Sequence, residues 1–368
     1  MDITAIILAF SILGALDKIF GNRFGLGKEF EKAFNLLGPM ALSMIGMIIV
    51  APYIGQLLKP LSSFMTEVLH IDASILPATL FANDMGGAPL AKEMTGNNAI
   101  GMYNALVVSS MMGCTMSFTI PFALGVVKKE QHSELISGIL WGIVAIPVGC
   151  IVAGLICKIP IFVLIVNLIP LIIFSGIVAM GLVFAPNLSV KIFKWFGIFI
   201  TTVITIGLVM GIIRFLTGYE IVKGLEKIEE GGMVCLNAAI VLSGSFPFMY
   251  VVSKLLGRPL KAIGRKIGIN EISVVGIVST LVSNAPAFGM MDKMDKKGTV
   301  MNSAFAVTGA FVVGSHLAYT MAFNGGADYI VPVVVGKLVS GVLALALSGM
   351  MYGKNRNKGE KSHGNEVN

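Results

Sequence analysis

Asp84 lies in the run Phe81-Ala82-Asn83-Asp84-Met85-Gly86-Gly87-Ala88-Pro89, a glycine- and proline-rich break after a short apolar stretch. An ionised carboxylate at membrane depth is unfavourable by roughly 2.5 to 3.5 kcal/mol on insertion scales and calls for a partner. Lys92 lies beyond the break, and His316, in Gly314-Ser315-His316-Leu317-Ala318-Tyr319, reads as the only basic side chain well inside an apolar span. A carboxylate with so few internal cations suits a cationic substrate. The competing structural reading is a hydrogen bond from Asp84 to His316, or a cap on the helix after the break.

A second break follows about two hundred residues later, at Ser283-Asn284-Ala285-Pro286-Ala287-Phe288-Gly289. Asn83 and Asn284 each offer a carbonyl acceptor and two amide donors, enough to bind a hydroxyl or an ammonium or to satisfy a broken helix end. Gly86 and Gly87 admit turns that other residues resist and let a ligand approach the main chain. Phe81 and Tyr319, with Tyr103, Phe118 and Phe305, could present ring faces to an ammonium group. The expected binding set is Asp84, Asn83, Gly86, Gly87, Asn284, Ser283, His316, Phe81 and Tyr319.

Other chemistries find no support. Cys114, Cys150, Cys157 and Cys235 fall inside apolar runs without metal-site spacing, and His70, His132, His316 and His363 are scattered. They suit packing better than a metal centre. No nucleophile and base pair is visible, so neither an enzyme nor a cofactor is expected.

The elements that must position these residues are membrane helices. The 368-residue chain is 55% hydrophobic and only 13% charged, with a mean hydropathy of +0.86, where globular domains carry about a quarter charged residues. Spanning runs read near 2–20, 36–58, 99–127, 135–157, 160–185, 195–215, 232–256, 299–323 and 329–352. The first lacks a basic leader and a small-residue cleavage site, so it reads as a retained helix. The net charge of +7 is spread over short loops, which points to lipid headgroups and topology rather than nucleic acid. From 354 onward the chain reads as a disordered tail.

Three matches suggest an internal duplication: Lys59-Pro60-Leu61 with Arg258-Pro259-Leu260, Thr79 to Asn83 with Thr280 to Asn284, and Leu135 to Leu140 with Leu338 to Leu343, at offsets of 199, 201 and 203. Repeat one is expected over about 1–157, a linking span over 160–185 and repeat two over about 191–353, all in one transmembrane domain. Basic loops mark the cytoplasmic side. Those around 18–32, at 128–134, at 191–194, at 254–266 and at 293–297 are placed inside, which puts both flanks of the second short segment on one side. The chain then reads as an all-α polytopic membrane protein with nine full crossings and two opposed re-entrant hairpins in inverted repeats, N-terminus outside and tail inside. Full crossing by the short segments would give eleven spans and parallel repeats.

The runs Phe81 to Glu93, Asn284 to Met291 and Gly314 to Leu317 resemble the ethanolamine permease family of bacterial ethanolamine-utilization operons, and the likeness covers essentially the whole chain. It implies uptake of ethanolamine across the bacterial cytoplasmic membrane. Ser315 departs from the family pattern, which has an acid before the histidine, and leaves Asp84 more isolated. The expected function is a carrier for protonated ethanolamine working by alternating access. The alternatives are a passive channel, or a carrier for another small amine or organic ion. Expected partners are ethanolamine and the lipid bilayer, with room for a homo-oligomer.

Overall fold

The computed structural model describes residues 3–364, with side chains through 352 apart from 256–258, 260 and 261. The described residues form helices and connecting turns, with no strand among them. In chain order they begin with α1 (Ile3–Ile19), α2 (Leu26–Asn35), α3 (Leu37–Leu57) and α4 (Lys59–Glu67). Short helices α5 (Ile75–Leu80) and α6 (Gly87–Met94) flank the first break, and α7 (Asn98–Tyr103) leads through π-helical turns into α8 (Ile120–Val126). Long helices follow: α9 (His132–Ile156), α10 (Ile161–Phe184), α11 (Pro186–Thr217) and α12 (Ile228–Ile267). The second break separates α13 (Glu271–Thr280) from α14 (Ala285–Gly289), and α15 (Lys296–Thr308), α16 (Ser315–Ala322) and α17 (Ile330–Gly364) complete the fold.

Among the described residues seven stretches are long and apolar enough to cross a membrane, and this is a multi-pass membrane protein. Two of the nine expected spans depart from that description. The first, α1, is 17 residues long. The one expected over 299–323 is broken: α15 stops at Thr308, Phe311 takes a positive φ of 61° and α16 restarts at Ser315.

Two expected loops are helical instead. The basic stretch around 18–32 runs into α2, which packs against α1 and α12, and the basic stretch 254–266 belongs to the 40-residue α12. Basic residues on an uninterrupted helix mark its exit from the membrane as well as a loop does. The polar tail expected from 354 follows α17 as helix to Gly364, and residues 365–368 lie outside the described residues.

Two pairs of close helix crossings are built alike. Gly46 on α3 lies against the Ile204 carbonyl of α11, and Gly244 on α12 lies against the Ile7 carbonyl of α1, both too close to admit a side chain. Thus α3 packs closely on α11 as α12 does on α1. The residues leading into the two short segments make matching contacts as well. Asn104 Nδ2 donates to Ser74 Oγ at 2.8 Å, and Ser74 donates in turn to Asp72. Asn302 Nδ2 donates to the Ser273 carbonyl at 2.9 Å, and Ser273 donates to Asn270. Every partner in the second set is the first shifted by about two hundred residues.

Candidate functional site

Each break is a helix that cannot continue. At the first, Phe81 and Ala82 turn extended, Asn83–Met85 make one 3₁₀ turn, and Gly86 takes φ 108°, a conformation that strains any residue with a Cβ. The neighbouring span answers this break: Ser117 Oγ accepts from the Ala82 N–H at 2.9 Å, and Gly113 lies directly against the Phe81 backbone, where a methyl group would collide. The second break is answered by the break between α15 and α16. Phe311 N–H donates to the Thr280 carbonyl and Val313 N–H to the Leu281 carbonyl, each at 3.0 Å.

The span against the first break is wound as π-helix over Asn104–Gly113 and again over Thr115–Thr119. Such turns are rare and concentrate at functional sites. They leave the Ser110 carbonyl accepting from the ammonium of Lys337 at 2.5 Å.

Lys337 was not expected. It stands in the middle of the last apolar span and is 1% exposed, so His316 is not the only basic side chain inside a span and Asp84 has an internal cation nearby. Lys337 Nζ also contacts His316 Nδ1 at 3.2 Å, and on the other side of the ring Nε2 lies 4.0 Å from Asp84 Oδ1. That separation is too long for a hydrogen bond, so the competing structural reading for Asp84 holds only as proximity. Nor does Asp84 cap the next helix, whose N-terminus makes no side-chain cap bond. The Ser315 hydroxyl stands beside the Asp84 carboxylate instead. The serine that stands where an acid was expected therefore adds no second charge beside the carboxylate.

The other expected residues divide between this cluster and the second break. Asn83 is fully buried, and neither its amide nor its carbonyl group finds a partner among the described residues, which is unusual for a buried polar group. Tyr319, 1% exposed on α16, stands within electrostatic reach of Asp84. Gly86 and Gly87 form the turn itself. Asn284 is also fully buried and donates to Thr119 Oγ1 at 3.1 Å, while its carbonyl oxygen is unpartnered and Ser283 accepts from Ala285 N–H.

Most of the aromatics are engaged elsewhere. Phe81 packs on Phe196 with centroids 5.8 Å apart, Phe118 stacks on Phe122, Tyr103 donates to the Cys150 carbonyl at 2.8 Å, and Phe305 packs under Gly309 and Gly341. Phe311, not foreseen, sets its ring 4.8 Å from the His316 ring. Its signal was weak in the sequence, one more aromatic in an apolar run.

A cavity of about 290 Å³ is lined in part by Pro52, Pro89 and Tyr319. Its walls carry Glu93, Glu226 and Glu230, with Lys92 held over the Phe323 ring at 5.6 Å. Three carboxylates against one engaged lysine make this cleft attractive to cations.

Known proteins resemble this chain over nearly its whole length. The family described as "Ethanolamine utilisation protein, EutH" matches residues 2–351. The chain is similar to the "Probable ethanolamine permease EutH" of Listeria monocytogenes, 41% identical over 96% of this chain and 95% of that protein. It is 36% identical to the protein of the same name in Salmonella typhimurium, over 95% and 94%, and 35% identical to the "Uncharacterized protein YxeR" of Bacillus subtilis, over 94% and 93%. No solved structure matches.

Proposed function

This chain belongs to the ethanolamine utilisation EutH family, and from that premise we propose that its substrate passes through the buried cluster around Asp84. The protein is a membrane transporter of ethanolamine. One observation carries the site: among the described residues Asp84, on a break inside the membrane domain, has no cation in direct contact, while beside it Asn83 keeps its full hydrogen-bonding capacity. Ethanolamine at neutral pH is a small ammonium with one hydroxyl. The carboxylate suits the first group and the amide suits the second. Tyr319 separates this cluster from the acidic cleft, which would gather the cation before it binds.

The arrangement favours inverted repeats with two re-entrant hairpins entering from opposite faces. The exchanged helix pairs and the two mouth networks support a duplication. Lys128 pairs with Asp292 at 3.0 Å and Glu134 with Lys296 at 3.6 Å, which ties the loop at 128–134 to the flank of the second hairpin. Tyr329 donates to the Ala99 carbonyl at 3.3 Å, joining the loop before α17 to the flank of the first. The basic first group suits the cytoplasmic side of the bacterial inner membrane, and the second group the outside. Alternating access would follow from rocking one half against the other with Asp84 near the pivot.

The test is flux of labelled ethanolamine into proteoliposomes with pH and sodium gradients imposed independently. Saturable uptake with counterflow is expected. Uptake that neither saturates nor shows counterflow would overturn alternating access in favour of a channel.

A further inference from the structure

We propose that Lys337 is the resident cation of the Asp84 site and gives up its proton when the substrate's ammonium binds, so that ethanolamine and one proton exchange there. The proposal rests on Asp84 being the substrate's counter-ion.

Three features of the geometry lead to it. First, Lys337 is 1% exposed and its two hydrogen-bond partners, the Ser110 carbonyl and His316 Nδ1, are both neutral acceptors. A buried ammonium without a carboxylate in contact depends on the nearest anion for its charge balance. Secondly, that anion is Asp84, one imidazole away. Thirdly, Asp84 keeps its oxygens free of any cation, because His316 holds Lys337 on its far side.

The titratable groups facing Lys337 are few. Cys114 stands on the π-wound span, Cys150 on α9, His316 on α16 and Asp84 on the first break. Between Gly298 and Thr308, α15 carries no titratable side chain. The cluster therefore balances one carboxylate with one ammonium. A second ammonium on Asp84 would leave an unmatched positive charge where water cannot screen it.

Release of one proton restores the balance. The proton moves from Lys337 Nζ to His316 Nδ1 while the proton on Nε2 leaves through the cleft past Tyr319. One N–H bond forms and two break across the relay, and the released proton goes to solvent. The entering ammonium brings the charge that the proton takes away, so the cluster keeps the same net charge empty or loaded. Transport would then move no net charge, although the species that binds is a cation.

The experiment uses the full-length protein purified in detergent at weak buffering near pH 7.5, with labelled ethanolamine as the probe. The wild type should release about one proton per ethanolamine bound, and its affinity should rise about tenfold per pH unit, as linkage of one proton to one ligand requires. Lys337→Arg, whose guanidinium keeps its proton and still balances Asp84, should bind ethanolamine more weakly, release no proton and lose the pH slope. A thermal unfolding midpoint of Lys337→Arg close to that of the wild type guards against a folding defect. In proteoliposomes, wild-type uptake should ignore an imposed membrane potential and that of Lys337→Arg should follow it. No proton release by the wild type, or continued release by folded Lys337→Arg, overturns the proposal. Asp84→Asn separates the two ideas: if it still binds ethanolamine, the counter-ion reading itself fails, whatever Lys337→Arg does.

Discussion

Lys337 Nζ and His316 Nδ1 stand 3.2 Å apart, with Asp84 Oδ1 4.0 Å from the opposite ring nitrogen. An ammonium has only donors, so Nδ1 must present its lone pair and the ring proton sits on Nε2, facing the carboxylate. The imidazole is thus a spacer that holds cation and anion in one buried cluster without letting them meet. A direct Lys337 to Asp84 pair would occupy the carboxylate that an entering ammonium needs.

Asp84→Asn keeps the shape of the break and removes its charge. Hydrogen bonds to charged groups are worth about 1.5 to 3 kcal/mol, so ethanolamine uptake should fall by at least ten- to a hundredfold while the protein still inserts. Initial uptake rates, normalised to membrane-inserted protein, check this; normal uptake would remove Asp84 from the site.

Asn83→Ala should weaken binding without weakening the fold. Its side chain makes no hydrogen bond within the protein, so stability should hold or rise. Losing one neutral hydrogen bond to substrate, about 0.5 to 1.5 kcal/mol, should raise KM two- to tenfold. A lowered unfolding midpoint with unchanged KM would make Asn83 a structural residue only.

Ser117→Ala tests how the first break is held. The Ser117 hydroxyl is the acceptor for the buried Ala82 N–H, and its loss strands that donor at a cost of about 1 to 3 kcal/mol. Unfolding titrations in mixed micelles should register the loss, and uptake should fall with it.

Cysteines introduced one at a time read out the topology. Glu93→Cys and Asn324→Cys should react with an impermeant maleimide from outside, and Lys128→Cys and Asp292→Cys only from inside. Cys157 should be replaced first, because the other native cysteines are buried and free. Labelling of Glu93→Cys and Lys128→Cys from the same side would overturn the opposed hairpins.

The Lys128 to Asp292 pair gives the inner face a pH dependence. The Lys128 ammonium holds the Asp292 carboxyl below its ordinary range, first by hydrogen bonding and then by charge. A depressed carboxylate stabilises the folded state above its unfolded value, and that contribution disappears as pH falls through the folded value. Asp292→Asn should therefore unfold slightly earlier than wild type at pH 7 and identically in strong acid. Both residues are well exposed, so the difference should shrink in high salt.

Much of the site could be read from the chain because breaks in membrane helices are written locally. Asn83-Asp84-Met85-Gly86-Gly87 and Asn284-Ala285-Pro286 announce themselves by residue type, and unwound backbone at membrane depth is tolerated only where it lines a cavity or is buried in protein. Both proved to be real interruptions. The break at Gly309–Gly314 was harder to see, since Phe311-Val312-Val313 is as apolar as any helix and its interruption depends on hydrogen bonds to Thr280 and Leu281. Lys337 escaped notice for a similar reason: one lysine hardly alters a span whose mean hydropathy is 2.3.

By itself, then, the sequence determined the membrane class, the two marked breaks and the family likeness, because hydropathy, helix-breaking residues and motifs are properties of neighbouring positions. Only the tertiary structure decided which charges share the buried interior. Lys337 meets the Ser110 carbonyl across 227 positions of chain, and no local pattern encodes such a meeting. In a medium that cannot screen charge, that distant contact sets whether Asp84 stands alone or balanced.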